Sequence, residues 1–119
     1  MNSSKQTVAE SFWSAFRGIK HVMRERNFIV QIVAAVAVIA LALALNLPRN
    51  DSIIIIILIA FVLASEAMNS ACEQMLDFVT KEHNHEVARI KDILAGAVLI
   101  YSATAFVIGV WIFGNALLR

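Results

Sequence analysis

Residues 53–77 read IIIIILIAFVLASEAMNSACEQMLD, and the fold turns on how its two halves are joined. The apolar half, 53–64, is too short to cross a bilayer core of about 30 Å, which takes roughly 20 helical residues. A helical apolar pattern continues through Met68, Ala71, Cys72, Met75 and Leu76, so one membrane helix is expected to run on through the polar half. With Glu66 set at 0° and steps of about 100°, Asn69 falls near −60°, Ser70 near 40°, Glu73 near −20° and Asp77 near 20°. The strongly polar side chains other than Gln74 therefore share one face. From Glu66 to Asp77 this stripe rises about 16 Å along the axis, from within the bilayer to its surface.

The composition agrees with a lipid environment. Of 119 residues 60% are hydrophobic, with one proline and four glycines, too apolar for a soluble domain of this size. Residues 28–47 form a first span interrupted only by Gln31 and Asn46, NLPRND makes a short turn, and residues 92–118 form a third span with Trp111 as an interface anchor. The many isoleucines and valines do not argue for strands, because an open sheet leaves unpaired edges in lipid. The expected fold is an all-α integral membrane protein, a single domain over 1–119 with three transmembrane helices at about 28–47, 53–79 and 92–118. A net charge of +1 excludes a broad basic surface for nucleic acid. The single cysteine, Cys72, excludes an internal disulfide and suits packing. No cleavable signal peptide is expected, since the polar start MNSSKQTVAESF keeps the first apolar run far from the N-terminus.

Lys5, Arg17, Lys20, Arg24 and Arg26 precede the first span, and Lys81, Arg89 and Lys91 lie in the second connection. The first connection holds only Arg49 and the tail only Arg119. This alternation places the N-terminus and the second connection in the cytoplasm, and the C-terminus outside. Within 6–26, Val8, Phe12, Ala15, Phe16, Ile19 and Met23 recur at three- and four-residue steps, which predicts an amphipathic helix on the cytoplasmic leaflet.

A stripe of three carboxylates cannot face lipid, where each charge costs a few kcal/mol or more. Asn, Glu and Asp at these steps offer hard oxygen ligands of the kind magnesium accepts, completed by water and phosphate. A polar network holding an oligomer together would use the same residue types, although one asparagine would serve that purpose at less cost. Glu25, just before the first span, is near enough in depth to approach the Glu73 and Asp77 end. Lys91 and Asp92 open the third span, where a lysine either snorkels or pairs with phosphate. No GxxxxGK[ST] loop and no protein-kinase motif is present, so a nucleotide site has to be built from these helix ends. His83 and His85 do not have the spacing of a metal site.

E-A-M-N-S-A-C-E-Q-M-L-D resembles the signature of the prokaryotic diacylglycerol kinase family, E-x-x-N-[ST]-A-I-E-x-x-x-D, and K-D-I-L-A-G-A-V-L resembles the family's second block. ERNF, before the first span, resembles a third, and the likeness extends over roughly residues 14–113. It implies a homotrimer of small bacterial inner-membrane enzymes, each chain with a surface helix and three transmembrane helices. These transfer the ATP γ-phosphate to a lipid alcohol, diacylglycerol or undecaprenol, using magnesium. Carried over by motif position, it implies Glu66 as general base with Asn69 beside it, and Glu25 and Glu73 as magnesium ligands. Lys91 would contact the phosphates, Asp77 and Asp92 would support the nucleotide region, and Arg17 and Lys20 would be further nucleotide contacts on the surface helix. Cys72 stands where the family has Ile, and Asn84 where it often has His. ERNF and AGAVL are more similar to the undecaprenol kinase branch than to the diacylglycerol kinase branch. The alternative reading is a small oligomeric cation channel or proton-coupled transporter lined by the same stripe. Against it, residues 53–64 are wholly apolar, so the stripe opens to one side only.

Overall fold

The computed structural model describes residues 7–119 and contains four helices: α1 Val8–Val22, α2 Arg26–Ala44, α3 Arg49–Val79 and α4 His85–Leu118. Lys5, used above for the charge balance, lies outside the described residues. Three of the helices, α2, α3 and α4, are long and apolar enough to cross a membrane. Their Val- and Ile-rich stretches are helical because a helix satisfies every backbone group within one segment, which hydrocarbon requires.

Each junction has a local cause. Thr7 caps α1 by accepting the Glu10 amide at 3.1 Å, half of a Thr-x-x-Glu capping box. The joint between α1 and α2 is only Met23, Arg24 and Glu25, held by turns from Arg24 N to His21 O and from Glu25 N to Val22 O. At its far end α2 stops at Ala44, three residues short of the span limit expected from hydropathy. There Asn46 takes a left-handed conformation (φ 50°), the Asn46 amide reaches Leu43 O, and the Leu47 amide reaches Ala42 O. This pair of hydrogen bonds is the Schellman stop, which favours Gly or Asn at the left-handed position. Asn46→Val is expected to lower stability by about 1–2 kcal/mol in thermal unfolding, while Asn46→Gly leaves it unchanged or higher.

Pro48 then starts α3, so Arg49, Asn50 and Asp51 belong to its first turn and not to the loop that their polarity suggests. Asp51 sits at the positive end of the helix dipole, which favours it there. The α3–α4 connection is equally short. Thr80 ends α3 in extended conformation, and the Asn84 side chain caps α4 by accepting the amides of Glu86 at 2.9 Å and Val87 at 3.2 Å. That cap is what Asn84 does in this fold, and losing it in Asn84→Ala is expected to cost about 1 kcal/mol.

The helix α3 is the centre of the molecule, packing most extensively on α4, then on α2, and touching α1. Phe61 of α3 stacks on Tyr101 of α4 with ring centroids 5.9 Å apart. The body measures 55 × 40 × 20 Å, too thin to enclose a core. Among the described residues only Phe28, Ile55, Val62 and Ile112 are buried apolar side chains, while Phe12, Trp13, Phe106 and Trp111 are all more than 60% exposed. So much exposed apolar surface requires an apolar surrounding, lipid or protein.

Candidate active site on the polar half of α3

Burial in this chain is concentrated where the polar residues are. Ser65, Glu66 and Ser70 are the buried polar side chains among the described residues, and all lie within two turns of α3. Ser65 turns its hydroxyl back to donate to Val62 O at 2.8 Å, a local solution that helix serines use in apolar surroundings. Glu66 is 5% exposed, and the charges of Glu73 and Glu25 both bear on it. Beside it the Oδ1 atom of Asn69 is buried without a hydrogen-bond partner among the described residues. An acceptor left in that state costs about 1–3 kcal/mol, so the position is suited to an incoming donor or cation.

Further along the stripe the side chains open to the surface: Glu73 is half-buried and Asp77 exposed. Asp77 accepts a hydrogen bond from Lys91 Nζ at 2.8 Å, which ties the end of α3 to the start of α4. This pair borders a polar cleft of about 610 Å³ that is also lined by Thr80, Lys81, His83 and Asn84. Gln74 donates from Nε2 to Glu25 Oε1 at 3.2 Å and so brings the α1–α2 joint to α3. Along α3 the stripe therefore runs from the buried Glu66 and half-buried Asn69, through Glu73 beside the Gln74–Glu25 hydrogen bond, to Asp77 and Lys91 at the open end. Arg17 and Lys20 lie exposed on α1, Arg17 donating to Ser14 Oγ at 3.1 Å, and Asp92 is exposed on α4. None of these three makes a hydrogen bond or ion pair to the stripe.

Gln74 was not legible as part of the site. On the helical projection it stands off the carboxylate face, and its partner is set by the angle of the α1–α2 joint, which no periodicity reports.

Among the described residues, the ion pairs are Arg89 with Glu86 and Lys91 with Asp77, so no cation among these residues pairs with Glu25, Glu66 or Glu73. Three carboxylates without a counter-charge create a negative site that draws positive charge to it. No group of three or more His, Cys, Asp or Glu that could hold a metal by itself is present among the described residues. The carboxylates of Glu25 and Glu73 nonetheless fit magnesium, which keeps several waters and takes further oxygens from phosphate. His83 and His85 meet edge to face, with ring centroids 5.2 Å apart, outside any such group.

Two apolar grooves flank the Glu66 turn. One, of about 320 Å³, lies between α2, α3 and α4 and includes Ala35, Val62, Leu63 and Gly109. The other, of about 730 Å³, lies between α1, α2 and α3 and includes Val22, Phe28, Ala67 and Ser70. The turn of α3 that carries Glu66 also supplies Ala67 and Ser70 to the second groove, where a lipid tail would stay in apolar surroundings.

Comparison with known proteins agrees with this chemistry. The chain is 35% identical over 105 residues to an undecaprenol kinase of Bacillus subtilis, covering 87% of this chain and 85% of that protein. It is 33% identical over 101 residues to a diacylglycerol kinase of Synechocystis, covering 83% of this chain but 58% of the relative. No solved structure matches it. The model of the prokaryotic diacylglycerol kinase family matches residues 13–113, which takes in α1 from its middle, the whole carboxylate stripe, Lys91 and nearly all of α4, and the chain belongs to that family.

Proposed function

We propose that the protein is an ATP- and magnesium-dependent lipid kinase that transfers the γ-phosphate to the hydroxyl of undecaprenol, with diacylglycerol as the competing substrate. The observation that carries this reading is the buried Glu66, unpaired with any cation of the described chain and neighboured on α3 by Ala67 and Ser70, which line an apolar groove. A lipid hydroxyl reaching Glu66 from the bilayer meets a proton acceptor, which phosphoryl transfer to an alcohol needs. Asn69, with its free Oδ1, orients the hydroxyl. Glu73 and Glu25 hold magnesium, which when bound neutralises the phosphate oxygens as charge moves onto the leaving group. Lys91 exchanges Asp77 for a phosphate oxygen, and Asp77 and Asp92 border the nucleotide. Arg17 and Lys20 face the same aqueous side and meet the nucleotide or the lipid headgroups.

The surrounding organisation follows from the same reading. All 119 residues form one domain in a bacterial plasma membrane, with the N-terminus cytoplasmic and the C-terminus outside, as the lysine and arginine distribution favours. Helix α1 lies on the cytoplasmic surface with its apolar side in the leaflet. A homotrimer, as the family resemblance implies, shelters the half-buried Asn69 and Glu73 from lipid. Undecaprenol is preferred because ERNF and AGAVL resemble that branch, the two named relatives being about equally similar at 35% and 33% identity.

The test is competition between the two lipids in mixed micelles with γ-labelled ATP and magnesium. Preferential labelling of undecaprenol supports the assignment, preferential labelling of diacylglycerol replaces it, and labelling of neither removes the kinase reading. In the same assay Lys91→Met is expected to raise the KM for ATP about tenfold, as loss of a charged phosphate contact does. Its melting temperature should barely move, because an exposed ion pair contributes little to stability.

A further inference from the structure

Glu25 caps the N-terminus of α2 by position, with extended backbone (φ −79°, ψ 128°), yet its side chain makes no capping bond. The first turn of α2 contains no acidic residue. Left alone, a carboxylate at such a place turns toward the free amides and the positive end of the helix dipole. Here it is drawn the other way, across to α3, by a hydrogen bond between residues 49 apart in sequence. That bond and the Lys91–Asp77 pair are the long-range side-chain hydrogen bonds among the described residues, and both end on carboxylates of the proposed site.

The donor's chemistry fits the task. Bringing Glu25 toward Glu66 and Glu73 is opposed by repulsion between like charges. A carboxylate at position 74 would add to that repulsion, and a lysine would hold Glu25 but cancel the charge a cation needs. Glutamine has the reach, donates one hydrogen bond and adds no charge. It occupies Oε1 and leaves Oε2 available.

We propose that Gln74 is a positioning residue that fixes the Glu25 carboxylate toward α3, so that its second oxygen is presented together with Glu73 to a divalent cation. This rests on the reading of Glu25 and Glu73 as cation ligands of a lipid kinase. Gln74 falls on an unspecified position, between the second Glu and the Asp, of the signature that the chain resembles.

The test uses the full-length protein in detergent micelles and has two readouts. The side-chain amide resonance of Gln74, assigned by its loss in Gln74→Ala, is recorded in the wild type and in Glu25→Gln. Lipid phosphorylation is titrated with magnesium for the wild type, Gln74→Ala, Glu25→Gln and the double variant. Gln74 is exposed and alanine is a strong helix former, so Gln74→Ala keeps the fold. The resonance is expected to move on Glu25→Gln. Gln74→Ala is expected to raise the half-saturating magnesium concentration by about tenfold, as loss of a ligand-orienting partner does, with the melting temperature and the KM for lipid unchanged. In the Glu25→Gln background the same substitution adds nothing, because no carboxylate is left to position. An amide resonance indifferent to Glu25 overturns the proposal. So does a moved resonance with an unchanged magnesium titration, or an equal effect of Gln74→Ala in both backgrounds. If the wild type phosphorylates no lipid, the cation role falls with the kinase reading, and the resonance then decides the bond alone.

Discussion

Glu66→Gln lowers lipid phosphorylation by about 10³-fold, the middle of the range for loss of a general base, and leaves the melting temperature unchanged or raised. The two halves of this expectation have one origin. A buried carboxylate without a cation partner, near Glu73 and Glu25, is held against desolvation and repulsion. Glutamine has the same shape, removes the charge and keeps a polar group at the position. A residue that stabilises the fold loses stability when changed, whereas one kept for chemistry at a cost to the fold gains it. Thermal unfolding beside the transfer assay reads both. A retained rate removes Glu66 as base, and a large drop in melting temperature makes it a structural residue.

The second large effect is expected at Glu73. Glu73→Gln removes one of two charges offered to magnesium and should cut turnover by about 10²-fold, comparable to the loss of one electrostatic contact to the reacting group. Unlike Glu66→Gln, it should be partly rescued by more magnesium, because it weakens the site without removing the proton acceptor. Magnesium titrations of the two variants separate the roles: a shifted midpoint for Glu73→Gln and an unshifted one for Glu66→Gln. An unchanged midpoint for Glu73→Gln would count against ligation.

How much of this was legible in the sequence depends on whether a feature is local. Three helices long and apolar enough to span follow from hydropathy, and the carboxylate stripe follows from the period of the helix that contains it. Where α2 ends is less legible, because hydropathy runs on to Leu47 while Asn46 stops the helix earlier through its left-handed backbone. Arg49, Asn50 and Asp51 look like loop by polarity, yet Pro48 sets them into the first turn of α3. Asn84, which departs from the family pattern, is explained by a cap whose donors lie two and three residues ahead. Tertiary contacts were the least legible. Gln74 meets Glu25 only because the 45–48 turn folds α2 back alongside α3 and brings the start of α2 level with Gln74. Lys91 meets Asp77 only because the 80–84 connection is short enough to set the two helix ends side by side.

The role proposed for the polar half of α3 is phosphoryl transfer to a lipid hydroxyl. Its most direct test is transfer of label from γ-labelled ATP to lipid by the purified protein in mixed micelles with magnesium, for the wild type and Glu66→Gln side by side. A labelled lipid phosphate is expected from the wild type and about 10³-fold less from the variant. Equal labelling by both proteins, or no labelled lipid from folded wild-type protein, would contradict it.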